Sequence, residues 1–441
     1  MHSNKYRSDV VRSARASQEV SLQPPKGACI VQERVIVGID VGTTKICVLV
    51  GELDRDGKLN IVGVGTCLSQ GLRRGVVVNI EETVTSIAAA LDRAERLSGK
   101  NITTAYVGIA GSHIDSENSK GFVAISPSHR DIVQNDISRA IEVARAIAIP
   151  ANREVIHVIP RGYVVDGQEG IKNPIGMSGF RLEVETHIIT GAVSSIHNLI
   201  KCVHKARVEI EDLVLEPLAS SEAVLADGET DLGVALVDIG GGTTDVAVFT
   251  DGAIWHTVVL PIGGNLITSD IAIGLRLPFG IAEELKVTYG HCNPSTIADD
   301  DMIDLSHYMP DCNDLVPRKL LAEIIQARVE ELFEMVHEEI KKSGYDGLLP
   351  AGLVVTGGSA ELPGILDAAG QILDLPARLG SPLGLHGLAD SISHPAYATS
   401  VGLLLWGLRH TSFLTDEEEQ MERGSGNMVS RLVRWLRAFI P

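Results

Sequence analysis

The chain has 441 residues, 44% of them apolar and 22% charged, so it can bury the core of a large soluble body. Its formal charge of −19 argues against nucleic acid as a partner, because a phosphate backbone is held by surplus Lys and Arg. The six cysteines are scattered without a C-x-x-C pair or a metal-ligand spacing, which reads as a reduced compartment, and no stretch approaches the ~20 apolar residues that cross a bilayer.

Residues 1–33 are polar. They carry Lys5, Arg7, Arg12 and Arg15 with no apolar signal-peptide core behind them, and read as a disordered arm. Folded sequence begins near Arg34. Val35–Ile39 is a buried-strand run closed by Asp40, Ile46–Val50 a second strand, and Leu59–Gly65 a third beyond an Asp54-Arg55-Asp56-Gly57 turn. Ile80, Val84, Ile87, Leu91 and Ala94 recur at helical spacing and predict a helix over Ile80–Leu97. Over 107–188 the texture changes: short strands at Phe122–Ile125, Val155–Ile159 and Leu182–Ile188 surround a predicted helix at Ile132–Ile147, as in a compact insert. From Asp231 the strand–turn–strand pattern returns with Gly233–Val237, Val246–Phe249 and Ala253–Val259. Residues 265–347 read as mostly helical around the loop Asp299-Asp300-Asp301, and Leu353–Val355 is another buried strand. Residues 410–427 form an acidic, flexible linker, and 428–441 are apolar and basic.

The strongest signal is a repeat. Ile39-Asp40-Val41-Gly42-Thr43-Thr44 and Val237-Asp238-Ile239-Gly240-Gly241-Gly242-Thr243-Thr244-Asp245 each follow one strand and precede another, so the chain reads as two similar α/β halves. An Asp at a strand end can hold a metal ion through water. Gly lets the backbone turn and approach a phosphate, and consecutive N–H groups with Thr hydroxyls donate to phosphate oxygens. Two such turns facing one another would grip a polyphosphate. Neither opens a helix, and no G-x-x-x-x-G-K-[ST] occurs, so this is not a P-loop. A third element, Val355-Thr356-Gly357-Gly358-Ser359, runs from a strand into a turn without side chains on which a nucleoside can lie. Glu283 and Lys286, at i and i+3 on a predicted helix, could reach a ribose and a base edge; a solvated ion pair is the plainer alternative.

These motifs, in this order, resemble the phosphate 1, phosphate 2 and adenosine motifs of the actin/Hsp70/sugar-kinase superfamily. Glu216-Pro217-Leu218-Ala219-Ser220 and Ala396–Gly402 are similar to its two connecting helices, so the resemblance covers residues 34–408. Within that superfamily the chain most resembles the bacterial cell-division FtsA family, on Gly71-Leu72-Arg73-Arg74-Gly75, Val155–Pro160, Gly170-Ile171-Lys172-Asn173-Pro174 and Thr268–Ala272. The resemblance implies an α/β, actin-like two-lobed fold of duplicated ribonuclease-H-like domains with an inserted α+β subdomain. One lobe would comprise 34–106, 189–215 and 390–409, the insert 107–188, and the second lobe 216–264 and 348–389 with a helical subdomain at 265–347. It implies ATP and Mg²⁺ as cofactors, with Asp40 and Asp238 holding the metal through water. Gly42, Thr43, Thr44 and Lys45, with Gly240, Gly241, Gly242, Thr243 and Thr244, would meet the phosphates. Gly357, Gly358 and Ser359, beside Glu283 and Lys286, would meet the nucleoside. Glu216 stands where hydrolytic members keep a water-orienting residue, which permits at most a slow ATPase.

On a helical wheel the tail segregates fully. Met428, Val429, Leu432, Val433, Trp435, Leu436, Phe439 and Ile440 occupy one arc, and Arg431, Arg434 and Arg437 lie on the other, as in a helix that lies on anionic lipid. So short a helix is marginal in water and is expected to fold on contact with the membrane. The resemblance implies a scaffold that self-associates, anchors the tubulin-like FtsZ to the cytoplasmic face of the inner membrane at the division site, and recruits later division proteins. A small-molecule kinase or a pilus-assembly adaptor of the same superfamily is the alternative. Deleting 428–441 is expected to abolish co-sedimentation with anionic vesicles while ATP binding persists; undiminished sedimentation would overturn the anchor.

Overall fold

A computed structural model describes residues 35–409 apart from 55–57, 127–130, 148, 310–313 and 389–391. The 1–33 arm, the acidic linker and every residue named on the tail helix lie outside the described residues. Strand-forming runs open the chain: β1 (Val35–Val41), β2 (Lys45–Leu53) and β3 (Leu59–Leu68). A short pair, β4 (Leu72–Arg73) and β5 (Val76–Val77), leads to α1 (Ile80–Ser98) and β6 (Thr104–Ile109). Asn79 starts α1 by accepting hydrogen bonds from the backbone N–H groups of Glu81 and Glu82, and Gly99 ends it in the left-handed conformation. Then come β7 (Asp115–Ala124), α2 (Gln134–Arg145), β8 (Arg153–Val165), β9 (Gln168–Ile171) and β10 (Arg181–Ala192). The chain returns through α3 (Val193–Lys205) and β11 (Glu209–Leu215) and crosses on α4 (Glu216–Val224).

Beyond α5 (Asp227–Leu232), the second half builds β12 (Val234–Ile239), β13 (Thr244–Thr250) and β14 (Ala253–Leu260). Next are α6 (Gly264–Leu275), α7 (Phe279–Tyr289), β15 (Met302–Asp304), β16 (Leu315–Pro317) and α8 (Arg318–Ser343). β17 (Leu353–Thr356), α9 (Ile365–Leu373), β18 (Ala377–Leu379) and β19 (His386–Gly387) follow, and a final helix spans residues 398–409.

The two main sheets repeat one topology. In the first, β1 pairs antiparallel with β2, β2 with β3, and β1 runs parallel to β6 and β6 to β11; in the second, β12, β13, β14, β17 and β18 take the same places. This is the duplicated α/β arrangement expected above. β2, β12 and β13 are apolar on successive residues because both faces of each sheet are covered. α1 and α3 cover one face of the first sheet, and α6 to α9 one face of the second. The inner faces share a middle layer built on α4 and the final helix, with Leu218 and Ala219 against Val401, Leu403 and Leu404.

β7, β10, β8 and β9 form a separate antiparallel sheet backed by α2, whose Ile137, Ala140 and Ala144 pack on Val123, Leu182 and Val184. Its far side reaches the second half. Ser116 Oγ donates to the Thr257 carbonyl at 2.8 Å, and His187 Nε2 lies 2.9 Å from Thr257 Oγ1.

Three of the expected boundaries shift. The insert cannot start at 107, because Val107–Ile109 complete β6 in parallel register with β11. It cannot end at 188, because β10 continues to Ala192 in the same ladder. Residues 386–387, assigned to the second lobe, pair with Asn60 and Ile61 of the first sheet, so the chain recrosses earlier than composition indicates. A short antiparallel pair, β15 with β16, also stands within the stretch that reads as helical.

The crossing depends on Gly402. A Cβ there would stand 1.7 Å from the Ala219 carbonyl oxygen on α4. Gly402→Ala is expected to force the helices apart at a cost of about 1–3 kcal/mol, read as a lower thermal midpoint; an unchanged midpoint would contradict this packing.

Candidate functional site

The two glycine turns face each other across a cleft. A Cβ on Gly241 would lie 1.8 Å from Thr44 Oγ1, and one on Gly242 would lie 2.6 Å from Thr43 Oγ1, so only bare backbone permits this approach. Thr43 Oγ1 accepts a hydrogen bond from the Gly75 N–H at 3.0 Å, which ties the first turn to the Gly71–Gly75 loop. The cavity between the turns is about 470 Å³, within the ~300–1,000 Å³ of small-molecule sites. Gly357–Ser359 and the Glu283–Lys286 pair close its other side. Gly357 adopts φ +88°, and a Cβ there would reach within 2.4 Å of Asp238 Oδ1.

Four carboxylates converge here: Asp40, Glu216, Asp238 and Asp245 all line the cavity. Burial pushes Asp40 up to about 6, with Asp238 adding repulsion while the Lys45 ammonium and the Ser400 hydroxyl pull the other way. Burial likewise raises Asp238, and raises Glu216 and Asp245 well above the carboxylate range, where the neighbouring acids reinforce it. Hydroxyls from the crossing helices orient the two strand-end acids. Ser400 Oγ donates to Asp40 Oδ2 at 2.9 Å; Ser220 Oγ on α4 and Thr399 Oγ1 donate to Asp238 Oδ2 at 2.6 and 3.1 Å. Lys45 Nζ lies 3.6 Å from the centre of the Tyr397 ring at the entry to the final helix.

Most of the expected residues meet: Asp40, Gly42, Thr43, Thr44, Lys45, Glu216, Asp238, Gly240, Gly241, Thr243, Glu283, Lys286, Gly357, Gly358 and Ser359 line one cavity. Lys286 is buried, with its ammonium 2.7 Å from Glu283 Oε2 and 2.8 Å from Thr268 Oγ1, so this pair is a cleft wall rather than a solvated surface pair. Two residues stand elsewhere. Thr244 is the first residue of β13, fully buried, and spends its hydroxyl on the Ile262 carbonyl at 2.9 Å, which leaves it no donor for a phosphate. Gly242 packs on Thr43 and serves the approach of the turns rather than the cavity wall.

Asp245 was missed as a site residue although it closes the second motif. The antiparallel register places it directly opposite Asp238, whereas the corresponding position opposite Asp40 is Cys47. Its Oδ1 is buried without a hydrogen-bond partner. Ser220, Thr399 and Ser400 were missed as well, because only the helix crossing brings them to the acids.

The family model described as cell division protein FtsA matches residues 235–402, and the one described as the SHS2 domain inserted in FtsA matches residues 111–190. Cell division protein FtsA of Pseudomonas aeruginosa is 44% identical over 419 residues, covering 93% of this chain and 99% of its own. The Escherichia coli K12 protein of that name is 38% identical over 416 residues, covering 92% and 98%. The Bacillus subtilis protein of that name is 41% identical over 374 residues, covering 85% and 83%. Among solved structures, the PilM–PilN type IV pilus biogenesis complex gives a TM-score of 0.63 at 15% identity, covering 85% of this chain and 98% of that one. MreB5 of Spiroplasma citri bound to ADP gives 0.50 at 14%, covering 89% and 99%. Both structural likenesses concern the actin-like fold alone.

The acids make stability depend on pH with a definite sign. The folded value of Asp40, about 6, lies above its ordinary 3.8, so the folded state holds the proton more tightly and ionisation costs stability at all pH above that window. Asp40→Asn is therefore expected to stabilise the ligand-free protein by about 1–3 kcal/mol at pH 8, a gain that shrinks as pH falls through 6. Denaturant midpoints across that range measure it, and a gain independent of pH would contradict the assignment.

Proposed function

Because the chain belongs to the FtsA family of cell-division proteins, we propose that it is an ATP-binding, self-associating scaffold that anchors FtsZ to the inner membrane and helps recruit later division proteins. The observation that carries the nucleotide part is the pair of opposed glycine turns, each beginning at a strand-end Asp, over a cavity of nucleotide size. Backbone N–H groups of Gly42 to Lys45, Gly241 and Thr243 are the donors for phosphate oxygens, Lys45 is the nearby cation, and Gly357 to Ser359 with Glu283 and Lys286 hold the nucleoside.

The carboxylates fit a divalent cation. They are raised by burial and mutual repulsion, and one Asp245 oxygen is buried without a partner. Among the described residues no three His, Cys, Asp or Glu side chains are grouped to enclose a metal ion by themselves. Asp40 and Asp238 would accordingly hold Mg²⁺ through water. When bound, Mg²⁺ would offset phosphate charge. Glu216 is read as the base that orients a water, from its place in the wall of the cavity beside the two strand-end acids.

The scaffold part rests on the family and on the amphipathic 428–441 segment. Among the described residues no helix is long and apolar enough to cross a membrane, so attachment is assigned to that segment and is peripheral. Self-association multiplies weak single-helix binding through effective concentration.

On anionic vesicles with Mg²⁺ and ATP, the full chain is expected to recruit FtsZ filaments. Glu216→Ala should keep ATP affinity while lowering turnover by about 10²-fold. Failure of the wild type to bind ATP, or filaments left in solution, would overturn the reading.

A further inference from the structure

The Val155–Pro160 motif lies in β8 of the insert and plays no part in the cavity wall, yet its histidine reaches the strand that leads into the cleft. His157 Nε2 accepts a hydrogen bond from the Leu215 backbone N–H at 3.1 Å. Leu215 ends β11, an edge strand whose other side pairs with β6, Leu215 opposite Ile109. It is also the N-cap of α4, where its own side chain makes no capping hydrogen bond. The imidazole supplies an acceptor for that buried amide. Its ring packs on Trp406 of the final helix, with centroids 5.5 Å apart and planes tilted by 60°. Trp406 Nε1 in turn donates to Asp212 Oδ2, again on β11, at 3.1 Å.

One side chain thus ties together three elements: the insert, the strand that ends one residue before Glu216, and the helix that carries Thr399 and Ser400. Glu216 stands beside Gly108 of β6, where an added Cβ would come within 3.4 Å of its Cγ. We infer that His157 is a positioning residue for Glu216, fixing the β11–α4 junction so that turnover in the cleft depends on the seating of the insert. This rests on the proposed ATP site and on Glu216 acting there. The bond requires the neutral imidazole with its proton on Nδ1, because an imidazolium has no acceptor.

Two substitutions separate positioning from packing. His157→Phe keeps a ring against Trp406 and removes the acceptor. His157→Gln restores an acceptor through its amide oxygen. Wild type and both variants, as full chains, are compared by binding of a fluorescent ATP analogue, by kcat and KM, and by deuterium uptake of the 209–218 segment without nucleotide. His157→Phe is expected to lower kcat by about tenfold and to speed uptake, with ATP affinity and KM within about threefold of wild type; His157→Gln returns both. The inference is overturned if His157→Phe leaves kcat or uptake unchanged, if affinity falls together with kcat, or if His157→Gln is as impaired as His157→Phe. A wild type that binds no analogue overturns the proposed function itself, before any variant is read. A wild type that binds ATP without turning it over removes the role of Glu216, and that of His157 with it.

Discussion

Four carboxylates gathered around one cavity are the constraint on which the rest of the structure turns. Each loses hydration, and Asp40, Glu216 and Asp245 also feel the charge of neighbouring acids, so the cleft resists ionisation. The fold answers with directed hydroxyls. Ser400 holds Asp40, and Ser220 with Thr399 holds Asp238. Those hydroxyls come from two helices that cross between the sheets, and the crossing is possible because Gly402 lies against the backbone of Ala219. A packing requirement in the middle layer and an electrostatic requirement in the cleft are therefore met by the same pair of helices.

The duplication is asymmetric where the chemistry differs. Both halves place an Asp at the end of their first strand, but only the second half places another Asp opposite it; the first has Cys47, whose thiol burial holds well above its ordinary range. The symmetric parts position the turns, and the asymmetric parts concentrate charge on one side. On the proposed reading, a cation and a polyphosphate relieve that charge, so ligand binding and cleft stability are linked by mass action.

Much of the fold was legible because it follows from local periodicity. The buried runs at 35–39, 46–50 and 59–65 are strands, and the Ile80–Leu97 spacing became α1, since a covered sheet demands continuous apolar runs and a docked helix an apolar stripe. The boundaries of the insert were misplaced by a few residues because β6 and β10 continue past the point where composition changes. The return of residues 386–387 to the first sheet had no local sign at all, being a two-residue pairing with Asn60 and Ile61.

The sequence by itself determined the two motif turns, the Gly-Gly-Ser element and their order, because each depends on residues adjacent in the chain: an Asp ending a strand, and glycines that free the backbone. Tertiary structure alone decided which members of those motifs face the cavity. Thr244 turns inward to the Ile262 carbonyl and Asp245 turns to the cleft, although they are neighbours, because successive residues of a strand point to opposite faces and only the packed sheet says which face is which. Distant partners were decided the same way. Ser220 and Ser400 meet the acids, and His157 meets Leu215, across separations that no local pattern encodes, since a hydrogen bond records where two segments end up in space and not where they stand in the chain.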